Sequence, residues 1–384
     1  MKQVFLAIFA LFAVVIIGFL SMGASKNNAL SPFQNPLLVN AAGKKTDISL
    51  GSETDLTLLS KNIKWDPDGH ISYVTFPSGN RKYFIQGNQK TYTIDTSSPM
   101  TLQKAISSNF PIKENFGPDK NVSYRNFYAA INSVIQTNPK DPNYMFAFAQ
   151  YEQQAVKPDG TNDYANFTAS VGLLESKDGG NTWRDYGPVI RGDDYLPPGT
   201  KISGAGEPSA VINNGYIYVY YIDWAAGTTV SHADQIYVAR TKIFPDGGLG
   251  AFEFYKEEGF SEGEYNLKPT ITVPDTASAY ASLPSISYNK YLGKYLAIYQ
   301  TNNGFYQAVS VDGINWTDSK MFLKFDKPLS DRTDGDIWVS YPTLLSDANE
   351  KTDGSTGNLG NLYYAKGVWP NIAHQLTAKS FEFK

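Results

Sequence analysis

From about residue 60 onward, the apolar residues of this chain fall in short runs with a period of two. Tyr216-Ile217-Tyr218-Val219-Tyr220 shows the alternation plainly. Runs of the same kind occupy residues 71–76, 82–86, 144–149, 235–239, 295–299 and 362–365. A side chain on every second residue faces the same way only in an extended strand. Gly, Pro, Asn and Asp crowd the gaps between runs, as turns require. Residues 102–107 form the best short helical candidate, and nothing longer suggests a helix. The pattern predicts an all-β chain.

The strands repeat. Glu207-Pro208-Ser209-Ala210-Val211 leads through Gly215 into the run 216–221. Leu283-Pro284-Ser285-Ile286-Ser287 leads through Gly293 into 295–299. Tyr341-Pro342-Thr343-Leu344-Leu345 leads, after a polar insertion at 347–358, through Gly360 into 362–365. Pro is tolerated at the start of a strand, where no ladder N–H is needed. The unit therefore reads as an innermost strand turning into the second strand of a blade. An earlier unit, Ala129-Ala130-Ile131 followed by 144–150, lacks the Pro, and a first unit spans 65–96. Five such units predict a β-propeller of five blades, with six as the alternative.

Composition narrows the chemistry. Apolar residues make up 42% and charged residues 18% of the 384, enough for a large core. The net charge of −4 gives no reason to expect nucleic acid as a partner. Absence of cysteine excludes disulfides, thiolate nucleophiles and Cys-ligated zinc. No cofactor is implied; the metal content is left unknown, with a structural Ca²⁺ still open. At the amino end, Lys2 precedes an unbroken apolar run, residues 4–20, and Ser21 and Gly23 supply small residues at signal-peptidase spacing. Residues 1–29 are expected to be a signal peptide or an uncleaved membrane anchor with its leader, and 30–384 a single propeller domain. The protein is expected outside the cytoplasm, extracellular, periplasmic or at the cell surface, with the membrane as partner only through that anchor.

The segment Ser176-Lys177-Asp178-Gly179-Gly180-Asn181-Thr182-Trp183 fits the pattern S-x-D-x-G-x-T-W, and Ser310-Val311-Asp312-Gly313-Ile314-Asn315-Trp316 is a shortened copy. Asp accepts N–H groups across a tight hairpin, Gly takes a positive φ and Trp packs beneath. In this the chain resembles sialidases, whose Asp boxes have this form and are structural, so Ser176, Asp178, Gly180, Trp183, Ser310, Asp312, Gly313 and Trp316 are expected in outer hairpins. With its Pro-Ser strands it also resembles five-bladed glycoside hydrolases of families 43 and 32. Gly204-Ala205-Gly206-Glu207-Pro208-Ser209 looks like secreted propellers of the DUF4185 kind. These resemblances imply a carbohydrate-active propeller with its site where the inner strands converge. Family 43 enzymes use an Asp base, an Asp that tunes and orients, and a Glu acid; before the Pro-Ser strand, where they show Asp, this chain has Glu207. The arginine cluster and Phe-Arg-Ile-Pro motif of sialidases have no counterpart.

Cleaving a glycoside usually takes two carboxyl groups across the scissile bond. The catalytic candidates are Glu207, Asp66, Asp68 and Glu152. Glu207 has a glycine-rich approach and stands where the other repeats carry Leu283 and Tyr341. Asp66 and Asp68 begin the first unit in an Asp-Pro-Asp-Gly sequence that equally suits a turn. Glu152 follows the run 144–150, where an exposed loop is the competing reading. Arg125, Tyr128, Asp223, Trp224, Tyr341 and His70 are the candidate substrate-binding residues. The expected function is a secreted glycoside hydrolase acting on a poly- or oligosaccharide through a carboxylate pair. The alternatives are a non-catalytic propeller binding glycan or protein at the cell surface and, third, a sialidase.

Overall fold

The computed structural model describes residues 44–56, 67–157, 159–192, 202–224, 235–272, 274, 280–346, 350–369 and 371–384. The apolar run at 4–20 and Asp66 lie outside them. No helix among the described residues is long and apolar enough to cross a membrane.

The chain folds into antiparallel meanders. A first strand, β1 (Ile48–Asp55), precedes them. Unit one holds β2 (Pro67–Thr75), β3 (Arg81–Gly87), β4 (Lys90–Asp95) and β5 (Ile112–Phe116). The short helix α1 (Leu102–Ser107) joins the last two, capped by the Thr101 hydroxyl, as the sequence suggested. Unit two holds β6 (Tyr128–Gln136), β7 (Met145–Val156), β8 (Asn162–Ser176) and β9 (Arg184–Ile190). Unit three holds β10 (Ser203–Asn213), β11 (Tyr216–Asp223), β12 (Gln235–Ile243), β13 (Leu249–Lys256) and β14 (Gly259–Ser261). Unit four holds β15 (Ser282–Asn289), β16 (Lys294–Gln300), β17 (Gly304–Ser310) and β18 (Trp316–Lys324). In unit five, β19 (Ile337–Ser346), β21 (Leu359–Val368) and β22 (Asn371–Phe383) form the sheet, while the insertion carries β20 (Ser355–Thr356), which pairs with β15. The fourth strand of unit five is β1, paired antiparallel to β22 from Ile48↔Phe383 to Asp55↔Thr377. A short parallel pairing of Ser203–Gly204 with Thr168–Ala169 joins units two and three into one sheet.

The first strands of the units touch in the order β2–β6–β10–β15–β19 and back to β2. The apolar core follows the same circuit. One cluster joins Phe84 and Val74 to Ala147 and Leu174, across units one and two. The next joins Phe148 to Val219 across units two and three, and a third joins Tyr220 to Tyr295 across units three and four. A fourth joins Phe305 to Tyr364, and the last returns from Tyr363 to Tyr83. Each sheet is thus buried on both faces by its two neighbours. That explains strands that are apolar on both sides, such as the run in β11.

Among the described residues, no two neighbouring inner strands pair with each other in a ladder. A hydroxyl at one fixed place in four of the five repeats bridges them instead. Ser72 Oγ accepts from Val134 N at 2.9 Å, and Ser133 Oγ from Ala210 N at 3.0 Å. Ser209 Oγ accepts from Ile286 N at 2.9 Å, and Thr343 Oγ1 from Ile71 N at 3.3 Å. These four hydroxyl residues are fully buried. Just ahead of the hydroxyl residue, each inner strand breaks register with its hairpin partner.

The two Ser-x-Asp-Gly segments turn between third and fourth strands, β8 to β9 and β17 to β18. Asp178 accepts from Asn181 N and Thr182 N and from the Thr182 hydroxyl, while Ser176 Oγ accepts from Gly180 N. Asp312 accepts from Ile314 N and Asn315 N, and Ser310 Oγ from Gly313 N. Burial opposes ionisation of Asp178, but these donors outweigh it and hold its pKa down at about 2. Trp183 packs edge-on against Phe84 of unit one, and Trp316 against Tyr220 of unit three.

Replacing Ser133 by Ala is expected to cost about 1–3 kcal/mol in urea unfolding, because the buried Ala210 N–H loses its acceptor. A change below about 0.5 kcal/mol, typical of surface positions, would remove the hydroxyl from the framework.

Candidate active site

The bulge before the hydroxyl sets the site. In units three, four and five the residue ahead of Pro208, Pro284 or Pro342 is Glu207, Leu283 or Tyr341. All three adopt left-handed backbone, with φ of 52°, 53° and 58°. Non-glycine residues hold that conformation at a cost of about 1 kcal/mol or more, so the surrounding structure must enforce it. A small cavity between the inner strands is lined by His70, Glu207, Leu283, Pro284, Tyr341 and Pro342. Three equivalent bulges therefore present three different side chains to one space: an acid, an alkyl group and a phenol.

Glu207 lines this cavity, and two further carboxyl groups, Asp68 and Glu152, lie close enough to it to interact through their charge. Asp68 lies near the start of β2, Glu152 within β7 and Glu207 in the β10 bulge. Each is half-buried. Burial pushes Glu152 up to about 8, with the negative charge of Asp68 adding to the shift and a hydrogen bond from Gln150 opposing it. Burial raises Glu207 well above the usual carboxylate range; Asp68 and Glu152 add, and Asn132 opposes. Tyr341 donates to Asp68 Oδ1 at 2.8 Å. The Tyr128 hydroxyl donates to the Asp68 carbonyl at 2.7 Å and lies 2.9 Å from Gln86 Oε1. Burial, then the Asp68 charge, holds both phenols well above the ordinary tyrosine range, so both remain donors.

Glu152 departs from the loop reading. β7 runs on to Val156, and Glu152 pairs with Tyr128 on one side and Ala169 on the other. The run 144–150 shows only the apolar part of that strand; beyond it the strand turns polar because it faces the site. Asp68 likewise lies in a strand, not in a free turn.

The remaining candidates divide. His70 is buried in the cavity wall, with Nδ1 3.1 Å from Thr343 Oγ1 and Nε2 3.5 Å from Asp353 Oδ2. Trp224 lies over Gly206, where a Cβ would come within 2.4 Å of the indole and 2.2 Å of Gln150 Oε1. Only glycine fits between those two side chains. Asp223 is buried at the end of β11, its carboxylate against Gly192. Arg125 is not brought to this cluster. Its guanidinium is held by Asp185 at 2.8 Å and by the Gly117 carbonyl, and it packs on Phe116 of unit one. Arg81, Arg240 and Arg332 are also engaged outside the cluster, with Tyr83 and Glu350, Glu253 and Asp326 respectively.

Several residues of the site carried no sequence signal of their own. Asn132 and Gln150 are fully buried beside the two glutamates. Asn132 stands where the later repeats have Pro, so the break in the repeat marked it. Asp353, on the insertion of unit five, accepts from Ser72 Oγ at 2.7 Å and Tyr73 N at 3.1 Å. Trp338 and His374 stack with ring centroids 4.2 Å apart, and Tyr341 meets Trp338 edge-on. Across the sheet, Trp338 is opposite Gly367 of the intervening strand.

No protein-family model matches the sequence, and no curated protein matches it. Solved structures of similar shape are glycoside hydrolases. The catalytic domain of a GH62 α-L-arabinofuranosidase from Coprinopsis cinerea shares 9% identity, with 88% of this chain and 97% of that one covered and a TM-score of 0.47. An α-L-arabinofuranosidase from Podospora anserina, in complex with cellotriose, shares 10% identity over 92% and 95% of the two chains at a TM-score of 0.43. An endo-1,4-beta-xylanase from Bacteroides thetaiotaomicron shares 14% identity over 84% and 93% at 0.45.

The shift at Glu152 has a consequence for stability. A carboxyl group whose pKa is higher folded than unfolded contributes stability below about pH 4.5, and that contribution is lost as pH rises through about 8. Glu152→Gln should therefore match the wild type near pH 4 and exceed it by at least about 1 kcal/mol at pH 9, read by urea unfolding at both pH values. Equal stability at pH 9 would mean that Glu152 ionises freely.

Proposed function

We propose that the protein is a glycoside hydrolase acting on a poly- or oligosaccharide, with its five units arranged as the blades of a propeller. The observation that carries this reading is the meeting of Asp68, Glu152 and Glu207, from three different units, with burial and mutual charge pushing both glutamates above the usual carboxylate range. Hydrolysis of an acetal needs one carboxyl group that still holds its proton at working pH and one that is ionised. Glu207 is the general acid. Burial and the neighbouring negative charges keep its proton on, ready for the glycosidic oxygen of the leaving group. Asp68 is the base, or the anion facing the oxocarbenium-like transition state, its Oδ1 oriented by the Tyr341 hydroxyl. Glu152, protonated up to about pH 8, spares Asp68 and Glu207 a third charge. Trp224, above Gly206, and the Trp338–His374 pair beside Tyr341 offer flat apolar faces to sugar rings. The chain's Asp-box-like hairpins belong in this reading to the scaffold. The apolar run at 4–20 is proposed to direct export, which would bring the enzyme to extracellular or envelope polysaccharide.

The test is hydrolysis of a panel of aryl glycosides and oligosaccharides, furanosides included, by the protein lacking residues 1–29. Wild type should cleave at least one class, and Glu207→Gln should lower kcat by about 100-fold or more while keeping its fold. Binding by calorimetry with no cleavage of any member would overturn the enzyme and leave a glycan-binding propeller. Full activity in Glu207→Gln would move the proton donor elsewhere.

A further inference from the structure

Glu152 and Glu207 are joined by two amides whose orientation is fixed by the backbone. Gln150 Oε1 accepts from the backbone N–H of Glu207 at 2.8 Å. Its amide nitrogen therefore has to face the other way, and it donates to Glu152 Oε1 at 3.2 Å. Asn132 Oδ1 accepts from the backbone N–H of Gln150 at 3.1 Å. Its nitrogen in turn donates to Glu207 Oε2 at 3.1 Å. A backbone N–H can only donate, so neither amide can flip without setting donor against donor. Both side chains are fully buried, leaving water no part in the choice. Gly206 completes the device, because any side chain there would strike Gln150 Oε1.

We propose that Gln150 and Asn132 are positioning residues that hand one fixed N–H donor each to Glu152 and Glu207, and so set which protonation state each carboxyl group prefers. The proposal rests on the reading of Glu207 as the acid, but the device itself is defined by geometry alone. A donor aimed at a carboxylate favours its ionised form and opposes the burial that keeps the proton on. Without it, both glutamates would hold their protons to higher pH. The charged and titratable groups facing the pair are Asp68 and His70, from β2, and the phenols Tyr128 and Tyr341, from β6 and β19. None of them donates to either glutamate in a hydrogen bond seen here. The amides are thus the observed hydrogen-bonded counterweight to desolvation.

The test reads the amides directly in the full-length protein by NMR, with selective ¹⁵N-amide labelling and ¹³C-carboxyl glutamate. As pH rises, the side-chain NH₂ signals of Gln150 should move with the Glu152 carboxyl midpoint, and those of Asn132 with that of Glu207. In Gln150→Met, which keeps bulk but offers no donor, the Glu152 midpoint should rise by about one unit or more. Asn132→Asp, which still accepts from Gln150 N–H, should raise the Glu207 midpoint likewise and extend the alkaline limb of any activity profile. Amide signals that stay flat through both carboxyl titrations overturn the proposal, whether or not the variants fold. Unmoved midpoints in folded variants overturn it too. If the wild type cleaves no glycoside but the amides track the glutamates, the positioning device stands and only the enzymatic reading falls. If it cleaves and the amides stay flat, the reverse holds.

Discussion

A hydroxyl group between neighbouring inner strands is the constraint on which the rest depends. The first strands of successive units touch without pairing as a ladder. Buried N–H groups still require acceptors. Ser72, Ser133, Ser209 and Thr343 supply them at four of the five junctions. To aim a side chain sideways at the neighbouring strand, each inner strand has to leave its own hairpin register, and the bulge just before the hydroxyl is where it does so. The bulge then turns the preceding residue toward the centre. Framework and site are two results of one local distortion.

This arrangement separates what must stay constant from what can vary. The Pro and the hydroxyl belong to the scaffold, and the residue ahead of them is available for chemistry. Glu207, Leu283 and Tyr341 share a backbone conformation and a position, yet differ completely in side chain. The charges around Asp68 are then graded by burial more than by ion pairing. The cluster draws on phenols and amides for its hydrogen bonds, and Arg125 is committed to Asp185 instead.

Much of the framework was legible in the sequence because it repeats. The X-Pro-Ser/Thr units mark three inner strands, and the two Ser-x-Asp-Gly segments mark outer hairpins at equivalent places. Glu207 could be singled out because it breaks an apolar pattern at an aligned position. Gln150 could not, since its role arises from a backbone N–H distant in sequence and brought beside it only by the packing of unit three on unit two. Asn132 sat in a repeat that lacks its Pro, a deviation that carried the information. Arg125 drew attention by charge, but its partners on β9 and before the second unit are invisible to local pattern. The extent of β7 was underread because a strand that enters a polar site loses its apolar alternation while keeping its ladder.

The placement of β1 bears on how the molecule is assembled. It is synthesised before every other strand of the framework, and its partner β22 is the last. Until both exist, unit five lacks its outer strand and exposes a hydrogen-bonding edge, and the circuit of apolar clusters stays open between units five and one. Closure is the most distant contact in the chain, so it is the slow, entropically costly step, and the earlier units can fold locally while they wait. The same seam is a latch: freeing β1 alone would bare the edge of β22 while leaving the strands of the other units fully paired.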